Sequence, residues 1–515
     1  MNTSDLPNIS RTRKSLAASL ALLFGVIAAI GVWLLTMPPG PGLDPDSASY
    51  LGTATALVRG QGYRIPIASW SSADSTSALG HFPPGYPTAI AVPVALGLSP
   101  TNGARLVNAA AAFVSIAVAT WFVATVVGLV AAIGTALALL VMHAFVLVHL
   151  SVLSEPVFLA SIVCAAVAMH AFSRAHDERS RLEAAGWSGA AAAVAVLVRY
   201  AGISVVIAVV LWTLLSPARL GIRIRRAIIA ALPSAVLFGA WVGRSYLTSG
   251  SRSIRTLGAY GGIRETIQMG VETAVGWIVP LTSDDVLPGR GWLALVLLLV
   301  LAIIVFRGIR EARESSAGTA IAAVALLAVS YLLVLLGSRI LADPEIPFDE
   351  RILVPLFFLA VMLVAPAAAS WARASRRSLR VAAGVLLIGW LIAACRATED
   401  DIEWLLENGQ DFAQSQWTAS PLLAWARTNA PRQPLYSNWP AAIVFHLHRP
   451  GHEVPSAADG QMLRAFADTL RVRHGIVLAF DQPSPDQIGV ADLANAAGLR
   501  QVVRLTDGTV FAPAP

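Results

Sequence analysis

Residues 43–50, L-D-P-D-S-A-S-Y, place two carboxylates shortly after the first long apolar segment of the chain. Pro45 favours the first turn of a helix, where its missing N–H leaves no hydrogen bond unmade, so the stretch predicts a short helix that begins there. Asp46 and Tyr50 are four residues apart and lie on one face of such a helix. Asp44, directly before the proline, has the position of a helix cap. The stretch therefore predicts a carboxylate and a phenol presented together at the end of the first apolar segment.

The composition identifies the chain as a multi-pass membrane protein. Of its 515 residues, 56% are hydrophobic and 13% are charged, and a water-soluble fold cannot bury so much apolar surface. The net charge of +6 does not indicate a nucleic acid partner, because most arginines lie in short clusters between apolar runs, as membrane topology requires. Cys164 and Cys395 lie inside apolar runs, so neither a disulfide framework nor a thiolate metal site is expected.

The apolar runs predict about eleven membrane spans. Runs of spanning length lie at 16–36, 103–128, 132–153, 155–173, 227–247, 291–307, 317–338, 352–372 and 381–396. One further apolar segment, residues 186–216, is too long for one helix and carries Arg199 and Tyr200 at its middle. Arginines flank this segment on both sides, so it must cross the membrane an even number of times. We predict a hairpin with Arg199 at its tip.

The basic clusters also predict the orientation. With residues 1–15 in the cytoplasm, the arginine clusters between the spans all fall on the cytoplasmic side. The first span has a basic patch before it and no small-residue cleavage site after it, so we expect it to be retained in the inner (cell) membrane. Asp46, Glu155, Arg199, Arg244 and Arg351 then fall at the outer ends of their spans, where polar groups usually line a cavity.

Two regions outside the spans are expected to fold. The first outer loop, residues 37–102, is too long for a plain connector, and its segments 46–59 and 85–98 predict interfacial helices. Residues 397–515 have the composition of a soluble protein and alternate between helix-like and strand-like segments, which predicts a small α/β domain outside the membrane. Its predicted helices are 411–429, 459–471 and 486–498, and its predicted strands are 434–438, 475–480 and two near 500–512.

Five motifs in this order resemble the GT-C membrane glycosyltransferases, in particular the bacterial branch (glycosyltransferase family 39) related to protein mannosyltransferases and aminoarabinose transferases. They are L-D-P-D-S-A-S-Y after the first span, H-F-P-P-G-Y-P before the second, L-S-E-P-V-F-L at the fourth, V-R-Y-A-G at the hairpin tip and D-E-R-I-L-V-P-L at the tenth. The resemblance covers roughly residues 16–396. It implies a mainly α, polytopic helical membrane domain of GT-C type, with the α/β domain following it.

The resemblance implies transfer of a sugar from a polyprenyl-phosphate donor to an acceptor outside the cytoplasm: a cell-envelope glycan, lipid or protein. Asp46 matches the family's acid in the first outer loop, and Glu155 matches a second acidic position. Asp46 is expected to act as general base, because the acceptor hydroxyl loses its proton as it bonds to the anomeric carbon. Some family members use a divalent cation, so that cofactor stays open and no metal ligand is assigned.

The expected substrate-binding residues come from the same motifs. A leaving phosphate suits a fixed guanidinium, which donates two hydrogen bonds at once, and the candidates are Arg199, Arg244 and Arg351. Several relatives carry a lysine directly before the paired prolines, where this chain has Phe82 with His81 beside it. The further candidates are His81, Tyr50, Tyr86 and Tyr200.

Simpler interpretations apply to several of these residues. Asp44 is expected to be a helix cap, Asp46 could be a first-turn acid favoured by the helix dipole, and the arginines could be interfacial side chains. His446, His448 and His452 are spaced like a metal cluster but have no acidic or thiolate partner nearby in sequence, so a surface or packing role is expected. His143 and His149 are expected to make helix contacts.

Two other functions stay open at this point. A carrier or flippase for a lipid-linked or anionic solute could use the same outer charges, although the repeated halves and midplane polar residues of transporters are not apparent in the sequence. A catalytically inactive partner for cell-envelope assembly would need none of the chemistry at Asp46.

Overall fold

The structure is a computed structural model that describes residues 6–249, 258, 262–281, 288–342, 346–456, 460–483 and 498–514. The helices are α1 Leu6–Leu35, α2 Pro45–Val58, α3 Gly85–Ala95, α4 Pro100–Val126, α5 Leu129–Leu140, α6 His143–Leu150, α7 Glu155–Arg174, α8 Glu178–Val198, α9 Ile203–Leu214, α10 Leu220–Ser249, α11 Ile263–Ile278, α12 Arg290–Ala312, α13 Ser316–Leu341, α14 Glu350–Ala374, α15 Arg377–Asn408, α16 Ser415–Thr418, α17 Pro421–Asn429, α18 Pro440–Leu447 and α19 Gly460–Arg473. The strands are β1 Arg64–Ile65, β2 Ile67–Ala68, β3 Ser77–Ala78, β4 Leu435–Ser437, β5 Gly451–Glu453, β6 Ile476–Phe480, β7 Leu499–Leu505 and β8 Gly508–Pro513.

The bundle of long apolar helices confirms the predicted membrane domain. Within the described ranges, nine helices are long and apolar enough to cross a membrane: α1, from Lys14 onward, α4, α7, α8, α10, α12, α13, α14 and α15. The main core includes buried aromatic side chains on α7, α13 and α14, such as Phe158, Tyr331 and Phe358. In contrast, α12 and α15 bury little of their apolar surface, as expected for helices that face lipid.

The predicted span 132–153 is not one helix, which corrects that expectation. The chain breaks after Leu140, and α5 and α6 meet at an angle of 59°. The break leaves the carbonyl of Val141 near a helix end, and Thr398 on α15 donates its hydroxyl to that carbonyl at 2.8 Å. Because this backbone group is satisfied by a side chain, the break is tolerated within an apolar segment.

The predicted hairpin 186–216 forms two helices that meet at Arg199. The first, α8, begins earlier than predicted, at Glu178, and the second, α9, is separated from it by a short 3-10 turn at Tyr200–Gly202. A Cβ atom at Gly202 would lie 2.3 Å from the carbonyl oxygen of Ala195. Glycine is therefore required where the turn packs against the last turns of α8.

The C-terminal region folds around a six-stranded sheet in the order β2-β5-β4-β6-β8-β7. Its β2 edge strand belongs to the first loop, where Ile67 pairs with Gly451 in parallel register. The α/β composition of this region is as predicted, but the predicted helix 411–429 forms as two helices, because Ser420 caps α17 and Pro421 occupies its first turn. Helix α15 continues to Asn408, beyond the predicted boundary at 396/397. The predicted helix 486–498 lies, except for Gly498, outside the described residues.

Candidate active site

Three chain segments from distant parts of the sequence lie side by side at one end of the bundle, here named the Asp46 end. Gly42 and Leu43 form the middle segment, with Ser151 on one side and Asp411 on the other, both in parallel pairing. The backbone N–H of Val152 donates to the Gly42 carbonyl at 2.9 Å, and that of Phe412 donates to the Leu43 carbonyl at 3.1 Å. Each segment supplies an acidic side chain within four residues of this pairing.

Helix α2 follows the middle segment, and its first turn carries the acids. Asp44 is the N-cap, with Pro45 in the first turn, and its Oδ1 accepts a hydrogen bond from the N–H of Asp46 at 3.1 Å. The predicted helix near 46–59 and the predicted cap are thus confirmed. The hydroxyl of Ser47 donates to the carbonyl of Val152 at 2.9 Å, which fixes α2 against the segment that leads into α7.

Arg351 lies at the centre of the acidic side chains. Its Nη2 is 2.6 Å from Asp46 Oδ2, its Nη1 is 3.0 Å from Asp44 Oδ2, and its Nε is 2.7 Å from Glu155 Oε1. Asp44 is therefore more than a cap, because its second oxygen binds the guanidinium. One planar group, placed by the first turn of α14, connects α2 to α7.

Arg199 forms the second cationic contact of the same network. Its Nη1 pairs with Glu155 Oε1 and also lies 3.2 Å from the hydroxyl oxygen of Ser154. The Glu155 side chain is 1% exposed, whereas that of Asp46 is 28% exposed. The buried carboxylate thus holds both guanidiniums, and the carboxylate of Asp46 is open to an incoming molecule.

Three carboxylates and two guanidiniums leave the network with an excess of negative charge. Burial raises the pKa of Asp44 to about 6, the neighbouring carboxylates of Asp46 and Asp411 add to the rise, and the Arg351 guanidinium opposes it. Burial also raises the pKa of Tyr50, so its phenol stays protonated and can donate toward Ser154 Oγ, 3.5 Å away.

Aromatic side chains pack beside this network. The ring of Tyr50 meets those of Phe82 and Tyr86 edge to face, each with centroids 5.0 Å apart. Tyr86 is fully buried and donates its hydroxyl to Asn108 Oδ1 at 2.9 Å, while His81 is exposed and packs against Phe82. Tyr50 and Tyr86 are thus brought to the Arg351 network, and His81 lies at its margin.

Arg244 and Tyr200 are placed elsewhere, against the first loop. Arg244 donates to the carbonyls of Leu79 and Tyr63, each at 3.0 Å, and Tyr200 donates to the carbonyl of Gly80 at 3.0 Å. The Trp241 ring lies beneath the Arg244 guanidinium at 4.9 Å. In this structure Arg244 and Tyr200 hold the first loop in place. The Arg244 guanidinium binds backbone carbonyls of that loop.

Solved structures with the same arrangement of elements were found by comparison. An archaeal oligosaccharyltransferase, AglB from Archaeoglobus fulgidus, matches 96% of this chain and 74% of its own with 13% identity and a TM-score of 0.54. The mycobacterial arabinofuranosyltransferase AftD matches 98% of this chain and 42% of its own with 14% identity and a TM-score of 0.55. The chain has the GT-C fold.

Other comparisons add less. ArnT from Cupriavidus metallidurans, solved with bound undecaprenyl phosphate, is matched over 96% of this chain and 98% of its own, with 16% identity and a TM-score of 0.46. No protein-family model matches the sequence, and no curated protein matches it. The GT-C fold is therefore established from three-dimensional similarity.

Sequence reasoning did not find Asp411. Its backbone is left-handed, with φ of 52°, which is uncommon for a non-glycine residue and often marks a functional site. Burial raises the pKa of Asp411, and the Arg351 guanidinium opposes that rise, so the residue lies within electrostatic reach of the network. It follows α15 in the GT-C fold, and only the pairing with Leu43 brings it there. The sequence carries no local signal for this.

Two of the three C-terminal histidines, His446 and His452, contact backbone carbonyls, and His448 is exposed. His446 Nε2 lies 2.9 Å from the carbonyl oxygen of Phe412, and His452 Nδ1 lies 3.3 Å from that of Ser69. The described part of the chain contains no group of three or more His, Cys, Asp or Glu side chains arranged to hold a metal ion. His446 and His452 thus connect the C-terminal region to the Asp46 end, in keeping with the predicted packing role.

Proposed function

We propose that this protein is an integral membrane glycosyltransferase that transfers a sugar from a polyprenyl-phosphate donor to an acceptor outside the cytoplasm. The observation that carries the proposal is the single guanidinium of Arg351 bound to Asp44, Asp46 and Glu155 at the Asp46 end of a GT-C fold. In support, AglB was solved in complex with a dolichol-phosphate, and AftD is named as an arabinofuranosyltransferase.

Asp46 is the proposed general base. Its Oδ2 binds Arg351, and its side chain is partly open, so Oδ1 can take the proton of an acceptor hydroxyl. As this proton leaves, the acceptor oxygen bonds to the anomeric carbon, the bond from that carbon to the phosphate oxygen breaks, and the lipid phosphate keeps the electron pair. The ion pair with Arg351 holds the Asp46 carboxylate in place before the acceptor arrives.

Arg351 and Arg199 are the proposed contacts of the leaving phosphate. A phosphate that approaches Arg351 competes with Asp46 for the guanidinium, and the two arginines stabilise the charge that the leaving group gains. Glu155 is buried beneath both arginines. The catalytic role predicted for Glu155 stays a prediction, and its burial favours positioning of the two guanidiniums.

The remaining predicted residues support the surroundings of the site. Tyr50 and Tyr86 form an aromatic wall beside the Arg351 network, with His81 at its margin. Tyr200 and Arg244 hold the first loop in place at Gly80 and Leu79. The proposed orientation places the Asp46 end and the C-terminal region outside, with the N-terminus in the cytoplasm and the bundle in the inner membrane.

The test is an assay of the purified full-length chain in detergent with a panel of polyprenyl-phosphate sugars, in which release of the lipid phosphate is measured. The wild type should release it from at least one donor, and Asp46→Asn should lose about 10²- to 10⁴-fold in rate, as expected for removal of a general base. Asp74→Asn is the matched control, because Asp74 is an exposed acid of the same loop paired with Arg64.

Two results would contradict the proposal. Near-normal turnover by a folded Asp46→Asn protein removes Asp46 as the base. Uptake of a lipid-linked sugar into vesicles without any release of lipid phosphate would instead support a carrier.

A further inference from the structure

A second group of ionisable side chains surrounds a cavity of about 240 Å³ beside the first turn of α14. Apolar and backbone surfaces, including those of Met142 and Ala397, form part of its wall. Its charged lining comes from α6, α12, α14 and α15: His143, Arg290, Glu350 and Asp401. The Arg351 network uses none of these four side chains, although Glu350 directly precedes Arg351 in the chain.

The cavity lies at the break between α5 and α6. Met142 falls in the break and His143 is the first residue of α6, and both line the cavity. Interrupted helices within a membrane domain generally occur where the backbone lines a cavity or binds a ligand. The break thus places the imidazole of His143 at the cavity wall. In a continuous helix over 132–153 the His143 side chain would point in another direction.

The charges around the cavity balance. His143 Nδ1 lies 2.7 Å from Asp401 Oδ2, and His143 Nε2 lies 3.3 Å from Glu350 Oε2. A carboxylate lies within ion-pair distance of each ring nitrogen, an arrangement that favours the positively charged imidazolium form. With Arg290, whose Nε and Nη2 both donate to the carbonyl of Val279, the lining has two cations and two anions.

A balanced lining selects against ions and favours a neutral polar ligand. A bound cation would pair with one carboxylate and leave one cation of the wall without a partner. A bound anion would likewise leave one carboxylate without a partner. An unpaired charge costs much free energy in a partly buried site. Hydroxyl groups, in contrast, both donate and accept hydrogen bonds. The volume is below the roughly 300 to 1,000 Å³ of pockets for drug-sized molecules, so it suits a single ring.

We propose that this cavity is an acceptor subsite that binds one neutral sugar ring of a carbohydrate acceptor. Glu350 and Asp401 accept hydrogen bonds from its hydroxyls, and the Arg290 guanidinium donates to it, while His143 holds the two carboxylates in place. The inference rests on the proposed transferase function and specifies its acceptor as a glycan. Glu350 lines the cavity and Arg351, the next residue, binds Asp46, so the cavity and the proposed base are connected through the first turn of α14.

The first test measures binding of neutral methyl glycosides to the full-length protein in detergent by saturation-transfer NMR, with methyl glucoside, mannoside, galactoside and arabinofuranoside as probes. At least one should bind, and Asp401→Asn should weaken it about tenfold, the effect of losing one hydrogen bond to a charged group. Ala397→Leu fills the cavity without changing its charge and should weaken binding at least as much. Asp468→Asn, at an exposed acid paired with Arg471, should bind like the wild type.

Three results would overturn the subsite: no probe binds, both cavity variants bind with unchanged affinity, or inorganic phosphate or Mg²⁺ competes with the glycoside for the cavity. A second measurement separates this failure from failure of the transferase. If transfer occurs, Asp401→Asn should raise KM for a glycan acceptor about tenfold with little change in kcat. Transfer with unchanged KM overturns the subsite alone, and glycoside binding without release of lipid phosphate overturns the transferase alone.

Discussion

Two arginines at opposite ends of the bundle show how differently a buried guanidinium can be used. Arg226 on α10 is 2% exposed and binds a single carboxylate, that of Glu178 on α8, with Ser216 as a further partner. Arg351 on α14 binds three carboxylates, shares one of them with Arg199, and lies beside the partly open side chain of Asp46.

The two sites differ in charge balance and in whether a substrate can reach an acidic side chain. The pair of Arg226 and Glu178 is electrically complete and joins two helices, which is a structural use of buried charge. The Arg351 network has more acids than bases and one acid that a substrate can reach, which is an arrangement that can exchange a partner. Breaking the first should affect stability, and breaking the second should affect turnover.

The largest effect is expected from Arg351→Lys. An ammonium group cannot bind three carboxylates in one plane, so the charge is kept but the geometry is lost. We expect a decrease in kcat of about 10² to 10³ in the lipid-phosphate release assay, comparable to removal of one electrostatic contact from a transition state. Arg373→Lys, at the other end of α14 beside Ser370, should retain activity. Equal losses in the two variants would show a general effect on α14.

The next largest effect concerns the opposite end. Glu178→Gln leaves the buried Arg226 without its carboxylate and should destabilise the protein by about 1 to 3 kcal/mol, the cost of a buried polar group that loses its partner, with unchanged turnover per folded molecule. Thermal unfolding in detergent and the same activity assay measure both. The double variant Glu178→Gln/Arg226→Met should recover most of the lost stability, because no unpaired charge remains. A loss of turnover without a loss of stability in Glu178→Gln would contradict the structural role assigned to the pair of Arg226 and Glu178.

The smallest effect is a difference between two helix caps, Asp44 and Asp177, in how their contribution to stability depends on pH. The pKa of Asp44 is raised in the folded protein, to about 6, so its contribution is fully favourable at low pH and is lost as pH rises through about 6. The pKa of Asp177, the exposed cap of α8, is lowered by hydrogen bonds from Ser180, so its contribution is present at neutral pH and is lost as pH falls. Asparagine caps helices equally well, so both Asp44→Asn and Asp177→Asn keep the cap and remove the titrating carboxylate, and Asp44→Asn also removes the ion pair with Arg351.

The measurement is the unfolding temperature of the wild type and both variants at pH 4.5 and pH 7.5. Relative to Asp44→Asn, the wild type should lose about 2 kcal/mol between these values. Relative to Asp177→Asn its stability should stay nearly constant, because the pKa of Asp177 is lowered and the carboxylate is ionised at both pH values. An equal loss relative to both variants would contradict the difference in environment between the two caps.

Hydropathy and charge predicted most of the fold, because membrane spans are local features of a sequence. The break between α5 and α6 could not be predicted, since residues 131–142 are apolar throughout except for Gly134 and Thr135 and contain no proline. It depends on Thr398 and on the partners of His143, which are more than two hundred residues away. Strand β2 has two residues, too few for any periodicity.

The sequence predicted the individual residues of the candidate site but not that Arg351 lies at its centre. Asp46, Glu155 and Arg351 follow from motifs, and so does the cap of Asp44. The sequence did not show which of Arg351, Arg199 and Arg244 binds the acidic side chains, because this depends on which helix ends lie together in the fold. Contacts such as Leu43 with Asp411 join segments that no local pattern relates, and these contacts decide which acids surround the guanidinium.

The shared sheet has a consequence for biosynthesis. Ile67 of β2 leaves the ribosome before the long run of membrane helices, and its partner Gly451 follows only after all of them. At about 5 to 20 residues per second, the intervening chain takes roughly 20 to 80 s to translate. The first loop must wait that long for its neighbour, so a nascent protein whose membrane helices are already complete still lacks the sheet that joins this loop to the C-terminal region.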